Sequence, residues 1–297
     1  MSSASIATAA PSDPTGSDPA GRRGAQRHAL TVDVEDWYHD SELEAPATNR
    51  RVEANTDHVL ELLAECGARA TFFFLGEVAE QLPALARRVC EAGHEIGSHG
   101  YHHRRVGELT REEFRDDVRR SLQVIEDATG VRVRGYRAPY FSIKAGVRWP
   151  IEILTECGLS YDASILAYDR PPGLQLVCSR QPYRLEGGLW EIPVAVLQVG
   201  PFWHLPLASG GGLRMLPPRM LERLIQRFER DVGAGVFYLH PWELDPLSPT
   251  APGPGRWFLR VGREKLPGRL LQLMRGRRFA TVAETFAETL EAAAEHS

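Results

Sequence analysis

Four of the ten histidines, His94, His99, His102 and His103, fall within the stretch AGHEIGSHGYHH, residues 92–103. His99 and His103 lie four apart, so on a helical turn both imidazoles project from one face. That is a metal-ligand spacing, although a histidine pair alone equally describes a solvated surface turn. A divalent metal needs a further ligand from elsewhere, and Asp33, Glu35 and Asp36 form a carboxylate cluster upstream. Two imidazoles and one carboxylate leave open metal positions, and bound Zn²⁺ lowers the pKa of a water to about 7. The chemistry this favours is metal-assisted hydrolysis. The same donor set also serves non-haem Fe(II) oxygenases, which would need a co-substrate clamp that the sequence does not offer.

The polar residues must be held by something, and the surrounding pattern says what. HALTVDV, residues 28–34, is a short apolar run with β-branched residues, read as a buried first strand ending on the carboxylates. ATFFFLG at 70–76 is a second buried strand, and a helix at about 55–66 lies between them, stopped by Gly67. Apolar positions from Glu77 to Ala92 keep helical period, and Gly93 ends that helix just before the histidines. Thr110 and Glu113 form a capping box for a helix to about Thr129. RAPYFS at 137–142 reads as a strand end. LWEIPVAVL at 189–197 reads as a strand, Pro217 and Pro218 open a helix to about Val232, and VFYLH at 236–240 is a last core strand ending on a histidine. Alternating strands and helices over this length predict an α/β fold, a (β/α) barrel, with the polar clusters at strand ends where barrel enzymes place their sites. No G-x-G-x-x-G follows the first strand and no G-x4-G-K-[ST] occurs, so nucleotide-binding fingerprints are absent.

Composition sets the remaining bounds. The 297 residues are 43% hydrophobic, enough for a substantial core, and the net charge of −4 gives no general drive toward nucleic acid. Residues 256–278 depart from this balance, with eight basic side chains against the single acid Glu264, a stretch that could touch an anionic membrane or form a solvated basic face. Cys66, Cys90, Cys157 and Cys178 show no C-x-x-C spacing and read as free thiols, which suggests a reducing compartment. Residues 1–27 read as a disordered tail without a signal-peptide core, and no run of about 18 apolar residues is present, so a cytoplasmic protein is expected, in contact with the inner membrane at most peripherally.

Taken in order, TVDVED, SHGYHH, RAPY and YLH resemble the motifs of the metal-dependent polysaccharide deacetylases of carbohydrate esterase family 4, the NodB-homology domain. SHGYHH departs from the family's H-[ST]-x-x-H pattern at Gly100. DVEDWYH, SGGGLRMLP and LHPWELDP are similar to the subfamily found with exosortase and exopolysaccharide gene clusters, whose members carry an extra C-terminal region. The resemblance implies a distorted (β/α) barrel, a catalytic domain over 28–246, a C-terminal extension over 247–297 packed on the barrel, and removal of N-acetyl groups from amino sugars of a polysaccharide or lipid-linked exopolysaccharide precursor. Amide hydrolysis needs an activated water, a stabilised oxyanion and a proton for the leaving amine. Asp33 would be the general base, His240 the general acid, and His99 and His103 metal ligands, the ion most readily Zn²⁺. The resemblance places Arg137 against Asp33 to keep it ionised, and the Tyr140 backbone N–H at the oxyanion; Asp162 would orient Arg137 or simply cap a turn. For the third ligand, strand alternation puts Asp33 and Glu35 on one face and favours Glu35, with Asp36 the alternative if the strand ends early.

Other side chains carry weaker expectations. His94 and His102 read as bystanders. Trp37, Tyr38, Trp190, Trp203, Trp242 and Trp257 could stack on sugar rings, Trp242 first among them because it follows His240 by two. Tyr238 shares a strand face with His240 and would wall the acetyl pocket. Glu191 is either a buried polar group satisfied by backbone or a substrate contact. A non-catalytic carbohydrate-binding relic is the remaining alternative, and the complete set of base, ligands, arginine and acid argues against it.

Overall fold

The computed structural model describes residues 26–39, 51–166, 179–185, 187–198, 204–205, 208–249 and 259–291. Of the tail expected over 1–27, residues 1–25 lie outside them, as do Cys178, Trp203 and Trp257, while Arg27 belongs to the first strand. Strand β1 (Arg27–Val34) is the axis of the molecule, buried from His28 onward. It is paired on one edge with β10 (Val236–Leu239) and on the other with β2 (Thr71–Phe74), all parallel. From β2 the sheet continues through β3 (Glu95–Ser98), β4 (Gly135–Tyr136), β5 (Tyr161–Asp162) and β7 (Trp190–Glu191), with β6 (Tyr183–Arg184) antiparallel at the end. An isolated parallel bridge between Val194 and Val236 joins the segment after β7 back to β10. The sheet therefore curls onto itself as a distorted (β/α) barrel.

Alternation along β2 shows how the core divides. Phe72 and Phe74 join the large cluster between sheet and helices, whereas Phe73 faces the inside of the curl with Tyr161, Ile192, Val194 and Val236. Both faces are buried, which is why TFFF shows no polar alternation. Helix α1 (Arg51–Cys66) and helix α4 (Arg111–Thr129) cover the outer face, the latter held by the predicted Thr110–Glu113 capping box and ended by Gly130 at φ 73°. The single helix expected over 77–92 is two, α2 (Gly76–Gln81) and α3 (Pro83–Glu91), because Pro83 lacks an N–H and forces Leu82 out of the helical region, to φ −130°. The strand expected over 189–197 is likewise cut at Pro193: β7 ends at Glu191, and β8 (Leu197–Gln198) pairs with β9 (His204–Leu205) in a separate ribbon. Helix α6 (Gly210–Met215) and helix α7 (Pro218–Asp231) precede β10.

The C-terminal segment is woven into this frame. Helix α8 (Leu266–Gly276) leads to β11 (Arg278–Ala280), which pairs in parallel with the first half of β1. Val282 and Phe286, around α9 (Val282–Thr285) and before α10 (Ala287–Glu291), fill the inside of the curl from the end opposite the carboxylates. Several cations of the basic stretch are spent internally. Arg263 is 1% exposed, Arg269 donates to the Leu213 and Leu216 carbonyls, Arg275 pairs with Glu65, and Arg277 with Glu222 and Glu229. Among the described residues Cys66, Cys90 and Cys157 form no disulfide, and no helix is long and apolar enough to cross a membrane.

Candidate active site

Parallel pairing places the ends of β1, β3, β4 and β10 side by side, so the side chains just beyond them converge. Glu35, His99 and His103 bring one ligand atom each within 4.8 Å of one another. Nε2 of His103 lies 2.7 Å and Nε2 of His99 3.8 Å from Oε2 of Glu35. The other ring nitrogens are committed: His99 Nδ1 to the Arg137 carbonyl at 2.7 Å and His103 Nδ1 to the His39 carbonyl at 3.0 Å. A carbonyl only accepts, so each Nδ1 carries the proton and each Nε2 turns a lone pair toward the carboxylate. Oε2 takes no hydrogen bond of acceptable angle. Lone pairs facing lone pairs in a buried site call for a cation between them, and the donor set fits a divalent metal. Burial alone would raise the Glu35 carboxyl, but the imidazoles around it outweigh that and hold the group well below the carboxylate range. Burial draws His99 down to about 4, keeping it neutral as a ligand must be.

Asp36 does not reach this cluster. Its oxygens accept from the backbone N–H of Trp37 at 2.8 Å and of Val52 at 3.1 Å, so it tethers the start of α1. The histidine turn also differs from expectation: residues 99–103 are not helical, and the imidazoles meet with ring centroids 5.3 Å apart through a turn pinned by Asp117, which accepts from Tyr101 N and His102 N at 2.7 and 3.0 Å. Gly100, the departure from the family pattern, sits at φ 79°, where a side chain would be strained.

Beside the cluster, Arg137 is fully buried and its Nη1 donates to Asp33 Oδ1 at 2.7 Å and Thr31 Oγ1 at 2.8 Å, with Nε on the Ala163 carbonyl at 3.2 Å. This is the expected charge-assisted pair. The orienting contact expected from Asp162 to Arg137 is not made. Asp162 Oδ1 instead accepts from the Ser164 hydroxyl at 2.5 Å, which itself accepts the Ala138 N–H at 2.7 Å, so Asp162 steadies the backbone next to Arg137. Its register partner Glu191 is also fully buried and takes the Ile165 N–H at 2.9 Å. Burial pushes Asp162 up to about 6, and burial together with the charge of Asp162 pushes Glu191 well above the carboxylate range.

His240 arrives from β10. Its Nδ1 lies 3.2 Å from Glu243 Oε2, leaving Nε2 3.9 Å from Asp33 Oδ2 and 3.6 Å from Glu35 Oε1. Burial alone would lower this imidazole; Glu35, Glu243 and Asp33 outweigh it and raise it to about 10, a protonated group able to give up its proton. Glu243 was not legible as a site residue. It is held by Arg214 Nε at 3.4 Å and packs on Gly210, where an added Cβ would stand 2.1 Å from Oε2. Proximity in sequence, H-P-W-E, was the only available signal.

Tyr140 lies beside the cluster, its ring centroid 4.4 Å from that of His103 and its hydroxyl donating to the His39 carbonyl at 2.9 Å. Tyr140 and Phe141 both adopt positive φ, 57° and 50°, a strained pair of the kind that collects at active sites. Tyr238 packs edge-on to His240 at 5.9 Å. His102 is exposed and ion-paired to Glu77, and His94 accepts the Ala70 N–H, so neither joins the metal cluster. Trp242 is 3% exposed and is therefore no platform for a sugar. Trp37, Tyr38 and Trp190 are partly exposed, Trp190 lining a cavity of about 430 Å³ with Glu95 and Arg134, away from the cluster.

Comparison with known proteins agrees with this geometry. Residues 21–161 match the family model "Polysaccharide deacetylase". Residues 164–287 match "Domain of unknown function (DUF3473)", a span that contains His240, Trp242 and Arg263. The chain is 30% identical over 145 residues to the peptidoglycan deacetylase of Helicobacter pylori, covering 48% of each. It shares its fold with a candidate polysaccharide deacetylase of Mycobacterium smegmatis, at TM-score 0.63 and 22% identity over 94% of this chain and 95% of that one. A second structural neighbour is a CE4 family pseudoenzyme from Bacillus anthracis, at TM-score 0.52 and 16% identity over 88% of this chain and 66% of the other. The chain spans about half the length of the curated relatives it matches, 54% and 48% for two of them. The chain therefore carries a polysaccharide deacetylase domain of the NodB type over residues 21–161, continued by a DUF3473 region over residues 164–287.

Proposed function

We propose that the protein is a metal-dependent hydrolase that removes N-acetyl groups from amino sugars of a polysaccharide or a lipid-linked exopolysaccharide precursor. The observation that carries the reading is the placing of Asp33 and His240 against one Glu–His–His cluster, with Nε2 of His240 3.9 Å from Oδ2 of Asp33. A divalent ion held by Glu35, His99 and His103, taken as Zn²⁺, supplies a lowered water pKa and positive charge beside the developing oxyanion. Asp33 takes the proton of the attacking water at Oδ2, its other oxygen being occupied by Arg137. The Tyr140 backbone N–H adds a donor for the oxyanion. His240, its Nδ1 anchored on Glu243, gives the Nε2 proton to the departing amine, so the C–N bond breaks to acetate and a free amino sugar.

A structural neighbour that is a pseudoenzyme makes the residues, rather than the fold, the argument for activity. A relic with no reaction to catalyse would not need base, acid and their partners all in place. The test is acetate release from N-acetylglucosamine oligomers, abolished by a chelator and restored by Zn²⁺. A metal-loaded protein that releases acetate from no acetylated glycan would contradict the reading. Action on a cytoplasmic or inner-leaflet intermediate and peripheral contact with anionic lipid remain part of the proposal, the latter resting on Arg260, Lys265 and Arg278 now that Arg263 and Arg277 are buried. Sedimentation with anionic and neutral vesicles tests it; equal partitioning counts against it.

A further inference from the structure

Trp242 is too deeply buried to touch a sugar, and its surroundings give it another task. A buried indole N–H needs an acceptor, and here the acceptor is Oε1 of Glu35, at 3.3 Å. The ring stacks on His240 with centroids 5.2 Å apart and planes 14° from parallel, and Cζ of Arg263 lies 5.0 Å from the same ring. Arg263 is 1% exposed and is fixed by backbone, Nη1 on the Ser248 carbonyl at 2.6 Å and Nε on that of Leu259 at 2.7 Å. Its charge is therefore available to the indole face.

We propose that Trp242 is a positioning residue for the carboxylate ligand, and that Arg263 brings the C-terminal segment to bear on the metal site by holding the indole in place. A glutamate has one more rotatable bond than an aspartate, and its terminal torsion is broad. Left alone, Glu35 would exchange its oxygens at the site. The indole N–H ties down Oε1, leaving Oε2 turned to His103 and His99, at 2.7 and 3.8 Å. The same contact accounts for tryptophan at 242: phenylalanine would fill much of the space but carries no donor. The inference rests on Glu35 being the metal ligand.

The experiment is Zn²⁺ affinity of the full chain, measured by competition with a chromophoric chelator and needing no substrate. Trp242→Phe is expected to weaken Zn²⁺ binding about 10- to 100-fold, the range for lost partners of metal ligands. Replacement of Trp242 by benzothienylalanine, which keeps the ring's shape and puts sulfur in place of N–H, separates the hydrogen bond from packing and is expected to show the same loss. Wild-type affinity in the benzothienylalanine protein, alongside loss of Zn²⁺ in Glu35→Ala, overturns the proposal alone. Wild-type affinity in Glu35→Ala overturns the ligand assignment, and the proposal with it.

Discussion

Asp33, Glu35 and Asp36 are three carboxylates within four positions, all buried, and the structure gives each a different neighbour: Arg137, the two histidines, and the start of α1. The account predicts different losses. Glu35→Ala abolishes Zn²⁺ binding, read by metal analysis of the purified protein. Asp36→Ala keeps the metal but loses a helix-start tether, costing about 1 kcal/mol in a denaturant melt; metal loss in Asp36→Ala would reverse the assignment. At this scale the meeting of Asp33, Glu35, His99, His103, Arg137 and His240 was legible because each closes or closely follows a short strand-like run. Glu243 and the role of Trp242 were not, because both act through a short 3-10 turn, Pro241–Leu244, whose aim only the fold reveals. Asp162 was expected to orient Arg137 or cap a turn; its partner is Ser164 two residues on, a local contact that strand alternation does not suggest.

At the scale of elements, prolines decide most differences from expectation. Pro83 divides one helix into two and Pro193 shortens a strand, and neither break is visible to a reading based on apolar period alone. The Gly-rich loop before α7 also has a defined task. Ser209 caps α6, accepting the Gly212 N–H, and Gly210 leaves room for the carboxylate that holds His240. Gly210→Ala is therefore expected to displace Glu243 and lower kcat at least tenfold with Zn²⁺ affinity unchanged, because the ligands lie on other elements. Equal losses of metal and turnover would show that α6 supports the site as a whole and not the acid alone.

For the whole molecule, alternation of strand and helix made the barrel legible, whereas its closure depends on isolated bridges to β10, Val194 to Val236 and Ser209 to Tyr238, that have no sequence signature. Half of the basic stretch is committed within the protein, since Arg263, Arg269, Arg275 and Arg277 are tied to carbonyls and carboxylates across the fold, a use of charge that composition does not reveal. Global stability should carry the mark of His94, whose Nδ1 accepts the Ala70 N–H and whose pKa is lowered to about 4 by burial and the charge of Arg69. The folded-state value lies below the unfolded value of 6.5, so the unfolded chain takes up the proton first. The contribution is complete above about 6.5 and is lost as pH falls toward 4. Thermal melts of metal-free protein should show a shallower acid decline in His94→Gln than in wild type; parallel curves would remove His94 from the account.

The central claim is a division of labour in which Glu35, His99 and His103 hold the metal and Asp33 moves the proton. The most direct measurement is Zn²⁺ content and acetate release determined together on Asp33→Asn. The account predicts metal retained at the wild-type level with turnover lower by about 10²- to 10⁴-fold, the range for a missing general base. Turnover within a few-fold of wild type, or loss of the metal with Asp33, would contradict it.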